Sequence, residues 1–316
     1  MKKLLVITSV LVLTAGHAIA QKEFKLAKTS GKLVLINIPH LTVEGYDGKE
    51  IVFTLVNKEE ENDFPGQMGN NNDDPRAKGL NAVSDNGFDN TGLGLAVSEK
   101  GQETIVSPIG NLRNEIKIKL PANVALSVVR NGWSTSNFDS VAISLNNIKS
   151  EIDLSVQSEN CKLSNVTGPL SIKTLSGNID VKLNNQFSGP ISISSVNGFI
   201  DVTTPENGKA DIEISTRNGT IYADKSLNLK SEKVKQENSR GISTTSDTLV
   251  TNRGATTILG SGAVTGNLGT DINKSRRTIN ARSIPYSGNS SFTGTLNGGG
   301  KKIVLHSMNG NIYFRK

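Results

Sequence analysis

A Gly-centred turn followed by alternating apolar residues recurs along this chain at a fixed distance, and that distance limits the folds open to it. "TLSGNIDVKL" at 174–183 is answered by "SSVNGFIDVTT" at 194–204. Leu170, Ile172, Gly177, Ile179 and Val181 map 21 residues on to Ile191, Ile193, Gly198, Ile200 and Val202, and 21 further to Ile212, Ile214, Gly219, Ile221 and Ala223. A step of 91 then reaches Ile303, Leu305, Gly310, Ile312 and Phe314. All sixteen non-glycine slots of these four rows are apolar in a chain that is 35% apolar, too many for coincidence. Stepping back 27 from the first row gives Ile143, Leu145, Ser150, Ile152 and Leu154, with Ser in place of Gly and six extra residues assigned to a loop before Gly168.

Each unit holds two strands whose inward residues are two apart, as a pleated strand requires, joined by a tight turn. One unit alone cannot bury its apolar face, whereas stacked units can, each strand pairing with its equivalent about 4.8 Å away. The reading is an all-β protein, a β-solenoid (β-helix) of roughly 21-residue coils with an N-terminal hairpin region and two long insertions. Asn197, Asn218 and Asn309 precede their glycines and Ser176 precedes Gly177. Asn and Gly tolerate the positive φ of a tight corner, so Gly177, Gly198, Gly219 and Gly310 read as structural turns. Thirty-one glycines against 4% aromatics fit many short strands and few helices.

The amino terminus reads as a secretory signal peptide over residues 1–20: "MKK", the apolar core "LLVITSVLVLTAG", and Ala18-Ile19-Ala20 as an A-x-A cleavage site. No cysteine follows the apolar core, which leaves no lipoprotein route, and no later segment approaches the roughly 18 apolar residues of a membrane span. Cleavage leaves 296 residues and lowers the formal charge from +6 to +4, because Lys2 and Lys3 leave and no acid does. That mild charge, without a basic block carrying aromatics, excludes nucleic acid as a partner class. Cys161 is the single cysteine, so the exported chain has no internal disulfide; Cys161 reads as a buried or inert thiol in a loop, with an intermolecular disulfide as the alternative.

Around the coils the sequence divides into an N-terminal β region at 21–125, solenoid coils at 126–225, an insertion at 226–290 and a C-terminal coil at 291–316. "KLVLINIPHLTVEGYDGKEIVFTLV" at 32–56 alternates strongly and carries Asp47-Gly48 between its strand runs, a hairpin signal. Ile116, Ile118 and Leu120 face one way and Lys117 and Lys119 the other. Residues 57–92, with "NKEEEND" and "GNNNDDPRAKG", read as a solvated polar loop. The 226–290 insertion is basic (Lys233, Lys235, Arg240, Arg253, Lys274, Arg276, Arg277, Arg282), and a loop of that size is a specificity element or a set of irregular coils. Terminal coils expose sheet edges that need covering. The first hairpin and the charged "FRK" end are candidates, with end-to-end self-association of two chains as the other solution.

"VEGYDGKEIVFT", the "SGNIDV" and "NGFIDV" coils, and above all the closing "LNGGGKKIVLHSMNGNIYFRK" resemble the bacterial putative adhesin domain family, exported single-stranded β-helix proteins of unknown function found in Bacteroidetes-like genomes. The resemblance covers most of the chain after residue 20, with the two insertions as departures. It implies a β-helix in the cell envelope and brings no catalytic residues with it.

The residues themselves offer little for catalysis. His40 and His306 are the only histidines after residue 20, and both sit in strand patterns; His306 follows inward Leu305 and reads as a solvated outward side chain. C-x-x-C, H-E-x-x-H, Walker and strand-linked G-x-G-x-x-G motifs are absent. Asp153, Asp180 and Asp201 take the same outward position in three rows, which would set carboxylates about 5 Å apart, as a cation site, an acid/base pair or an ordinary charged face. Asn62, Asp63, Asn70 to Asn72, Asp73 and Asp74 are oxygen donors without EF-hand spacing. Trp133 after the Asn131-Gly132 corner, with Tyr222 and Tyr313 in place of the outward Asp, gives aromatic contact candidates for a partner. No metal, cofactor or catalytic group is expected.

The expected function is that of a non-catalytic envelope or cell-surface protein, adhesin-like or scaffolding, binding an envelope protein or glycan through strand faces and long loops. Two alternatives stand beside it: an envelope-stress or signalling accessory that binds a membrane regulator, and a carbohydrate-active enzyme using the Asp180/Asp201 row.

Overall fold

A computed structural model of the protein describes residues 22–56, 79–80, 83–84, 87–110, 112, 114–131, 141–225, 227, 229–231 and 290–316. The described residues form strands and turns, with no helix. In chain order the strands are β1 (Glu23–Ala27), β2 (Gly31–Ile36), β3 (His40–Tyr46), β4 (Glu50–Val56), β5 (Val83–Ser84), β6 (Gly87–Phe88), β7 (Leu95–Lys100) and β8 (Glu103–Pro108). Next come β9 (Glu115–Pro121), β10 (Val124–Val129), β11 (Val141–Asn146), β12 (Ile152–Val156), β13 (Asn160–Val166), β14 (Leu170–Ser176), β15 (Ile179–Leu183) and β16 (Ile191–Asn197). The last are β17 (Ile200–Thr203), β18 (Ala210–Thr216), β19 (Ile221–Ala223), β20 (Lys230–Ser231), β21 (Ser290–Leu296), β22 (Lys301–Asn309) and β23 (Ile312–Arg315).

Two long sheets hold all of these except β5 and β6. One has the order β1-β4-β9-β3-β11-β13-β15-β17-β23-β19, the other β20-β21-β18-β22-β16-β14-β12-β10-β2-β8-β7. The chain alternates between them, so that β2/β3, β8/β9, β10/β11, β12/β13, β14/β15, β16/β17, β18/β19 and β22/β23 each make one turn. Strands of successive turns pair in parallel, with inward aliphatics in register: Leu170 opposite Ile191, Ile191 opposite Ile303, Ile179 opposite Ile200, Ile200 opposite Ile312. These residues are 0% exposed and belong to one continuous core cluster. Each buried Ile or Leu contributes about 1.5–3 kcal/mol, the main term holding turns that no disulfide crosslinks.

The turns do not stack in chain order. Their spatial order is β8/β9, β2/β3, β10/β11, β12/β13, β14/β15, β16/β17, β22/β23, β18/β19. The last turn of the chain thus lies between its two predecessors, and the first lies inside the second. Asp47-Gly48 therefore does not close a hairpin: β4 pairs antiparallel with β9, which separates it from β3. The "FRK" residues Phe314, Arg315 and Lys316 cover no edge either, since β23 runs between β17 and β19. Antiparallel strands do the covering: β4 and β1 beyond β9, β7 beyond β8, and β21 and β20 beyond β18. Among the described residues nothing pairs with the far edge of β19.

The row built on Ile143 needs correction. Ile143 pairs with Cys161 and Cys161 with Ile179 in the ten-stranded sheet, whereas Ile152 pairs with Leu170 in the other. Those partners are 18 residues apart, so the 27-residue step is one turn and a half. Both strands of a turn carry the same inward alternation, and a half-turn slip therefore preserves the pattern while exchanging the sheets. The stretch assigned to a loop before Gly168 is β13, a full strand, and it carries the buried Cys161.

Gly177, Gly198, Gly310 and Gly219 stack in that spatial order at one corner, but only Gly177 and Gly198 have the expected positive φ; at Gly219 and Gly310 it is the close approach of the adjoining turn's backbone that leaves no room for a side chain. A Cβ on Gly198, whose φ is +125°, would lie 2.2 Å from the Gly177 carbonyl oxygen. Ser150 belongs to a different corner, where its carbonyl lies under Gly168. The position beneath Gly177 is instead Glu159. Part of the 57–92 loop is structured, with β5 pairing β6 and the Asp89 carboxylate accepting from the backbone of Thr91, Gly92 and Gly94.

Candidate functional site: an aromatic and charged cluster at the end of the stack

Period-2 alternation sends Ile312 and Phe314 of β23 into the core and Tyr313 and Arg315 outward. Parallel in-register pairing then fixes the neighbours: Asp180 stands opposite Asp201, Asp201 opposite Tyr313, and Tyr313 opposite Tyr222 on the edge strand β19. The two tyrosine rings are stacked, centroids 5.0 Å apart and 6° from parallel. Phe199, at the corner after Gly198, meets Tyr313 edge-on at 6.1 Å. Tyr222, on the strand face, is 51% exposed and Phe199, at the corner, 38%, so the two rings give this end an exposed aromatic patch.

Arg315 completes the cluster. Its Nε donates to Asp201 Oδ1 at 2.9 Å and to Oδ2 at 3.1 Å, while Nη2 donates to Oδ2 at 2.9 Å. Its guanidinium carbon lies 5.5 Å from the centre of the Tyr313 ring. The hydrogen bonds to Asp201, reinforced by that residue's charge, hold the guanidinium above its ordinary range. Beside it, where β23 outruns β19, Tyr222, Ala223, Asp224, Tyr313, Arg315 and Lys316 surround a concavity of about 340 Å³.

The acidic row is two residues long. Asp153 lies on β12 in the other sheet, opposite Ser127 and Ser171, so the half-turn slip removes it from the row. Asp180 faces Lys162 on its far side, and Asp201 is engaged by Arg315. Among the described residues no group of three or more His, Cys, Asp or Glu could hold a metal ion. Trp133, the oxygen donors at 62–74 and the basic residues from Lys233 to Arg282 lie outside the described residues. His306 is outward on β22 but half-buried, its Nδ1 3.0 Å from Ser215 Oγ, and burial pulls its pKa down.

Reasoning from the sequence singled out Tyr222 and Tyr313 but not Arg315 or Phe199. Arg315 was legible as the next outward residue after Tyr313; Phe199 was hidden because corners have no period-2 rule. The buried pair Arg130 and Glu159 also went unnoticed. Glu159 Oε2 accepts from the backbone of Gln157 and Ser158, and Arg130 Nε lies 3.2 Å from Oε1 in a charge contact outside hydrogen-bonding angles. Arg130 Nη1 also donates to the Pro39 carbonyl at 2.6 Å. The one signal was the carboxylate standing where later turns carry glycine.

Residues 122–255 match the model of the family described as Toastrack DUF4097, a segment that takes in the turns from β10/β11 to β18/β19 but not β22/β23. Among solved structures the chain is similar to a "putative cell adhesion protein" from Clostridium sporogenes, at 12% identity over 93% of this chain and 99% of that one, with a TM-score of 0.38. It is also similar to a "putative adhesin" from Bacteroides fragilis, at 8% identity over 94% and 98%, with a TM-score of 0.37. At these identities and TM-scores neither carries an argument about this chain. No curated protein matches it.

Proposed function

We propose that this chain is an exported, non-catalytic β-solenoid of the cell envelope or surface that acts as an adhesin-like binding protein, holding a glycan at the Tyr222–Tyr313–Arg315 cluster. The observation that carries this reading is the stacked tyrosine pair, ending in a half-exposed ring beside a bidentate Arg–Asp pair. A pyranose presents an apolar C–H face and a rim of hydroxyls. The first suits an aromatic ring, and the second suits charged groups that donate and accept hydrogen bonds. A concavity of about 340 Å³ is at the small end of ligand pockets, the size for one or two sugar units of a longer chain. The guanidinium fork on Asp201 supports a binding rather than an acid/base role, because it satisfies the carboxylate that a hydrolase would need free.

Titration of the purified protein with defined envelope polysaccharides, by calorimetry, tests this. Binding to at least one of them, weakened tenfold or more by Tyr222→Ala with unchanged melting, is the expected result. Absence of binding across the panel, or binding indifferent to Tyr222→Ala, would overturn it.

A further inference from the structure

The slot occupied by β22/β23 is built from rungs that repeat on either side of it. Ile303 faces Ile191 on one side and Ile212 on the other, and Ile312 faces Ile200 and Ile221. The amide ladder passes straight through, Asn309 Nδ2 donating to Asn197 Oδ1 at 3.1 Å and Asn218 Nδ2 to Asn309 Oδ1 at 2.9 Å. The glycine corner is equally continuous, from Gly198 over Gly310 to Gly219.

In sequence, Ile191 and Ile212 are 21 residues apart, the same spacing as Leu170 and Ile191, which pair directly. The register for stacking β18 straight onto β16 is therefore present, and the C-terminal turn enters as a guest between two turns that match each other. Nothing in the rungs ties that guest to its own chain. Fifty-eight residues separate Ser231 from Ser290, so chain length, at most roughly 190 Å at about 3.3 Å per residue, does not by itself confine the unit to its own molecule. Exchange of such an element between copies recreates every native contact, so its cost is confined to association entropy and the linker.

We infer that the C-terminal unit, Ser290–Arg315, is exchangeable, and that its alternative seat is the same slot in a second copy of this chain, giving a reciprocally swapped dimer. This goes beyond the glycan reading and does not depend on it.

Ser192 and Val304 stand opposite one another on the outer face of β16 and β22 and report the seating directly. Two differently tagged proteins, one Ser192→Cys and one Val304→Cys, are denatured together, refolded at high concentration, and oxidised only after folding, when Cys161 is buried. The expected product is a disulfide-linked species of mixed tags at twice the chain mass. A single chain carrying both substitutions, refolded at low concentration, is expected to crosslink internally and remain monomeric. Internal crosslinking of the double variant without any mixed species from the single variants would overturn the proposal. Failure of the double variant to crosslink would overturn it too, since β22 would then not sit beside β16.

Discussion

Arg315 grips both oxygens of Asp201 across β23 and β17, at 2.9 to 3.1 Å, while lying 5.5 Å from the centre of the Tyr313 ring. One side chain thus orients an aromatic ring and neutralises a carboxylate on an exposed face. Because the guanidinium is solvated, its removal acts on recognition more than on folding. If the cluster holds a glycan as proposed, Arg315→Ala is expected to weaken that binding several-fold and leave the melting midpoint essentially unchanged, checked by calorimetric titration beside thermal unfolding.

Gly198 has no room for a side chain: its φ is +125° and a Cβ would sit 2.2 Å from a backbone oxygen of the adjoining turn. Backbone does not yield as a flexible side chain does. Gly198→Val is expected to lower the unfolding free energy by on the order of 3 kcal/mol, measured by urea denaturation.

The Arg130–Glu159 pair is enclosed, with side-chain exposures of 10% and 0%. Burial pulls the Arg130 guanidinium pKa down, and the charge of Glu159 opposes that. Glu159→Ala strands a buried cation and two backbone N–H groups, and is expected to destabilise by about 3–5 kcal/mol. Replacing both partners, Arg130→Met with Glu159→Leu, removes the stranded cation but leaves the Gln157 and Ser158 N–H groups without an acceptor, and should recover only part of that loss in the same denaturation assay.

Burial, with the Glu159 charge adding to it, pushes the Cys161 thiol from its ordinary 9.0 up to about 12. The folded state then keeps a proton that the unfolded chain gives up above pH 9. Between pH 9 and about 12 the unfolded state is favoured progressively, and below pH 9 there is no effect. The wild type is expected to lose stability relative to Cys161→Ala on going from about pH 8 to about pH 10, measured by denaturation at both.

How far the sequence discloses this molecule follows from what repeats in it. The inward aliphatics of β14 to β18, the glycine corner and the alignment of Tyr222 with Tyr313 all follow from fixed spacings, because parallel pairing converts an offset in sequence into a contact in space. Pairing order does not: Ile191 and Ile212 have the spacing of neighbours yet are separated by Ile303. The separation of β3 from β4 by β9 is invisible for the same reason, since a turn signal at Asp47-Gly48 reports a reversal of direction and not which strand lies alongside. Asp153 was misplaced because two strands of one turn share one alternation. Arg130 and Glu159 meet through corners, where no periodicity operates.

The insertion of β23 between β17 and β19 sets how the molecule bears a mechanical load. An edge strand under tension peels away one hydrogen bond at a time. A pull applied at Arg315 instead enters a strand held on both sides, along the strand axis, so that two ladders resist in shear together. In the proposed glycan-holding role, drag carried by Tyr313 and Arg315 would enter this doubly paired strand, whereas drag carried by Tyr222 would fall on the edge strand β19.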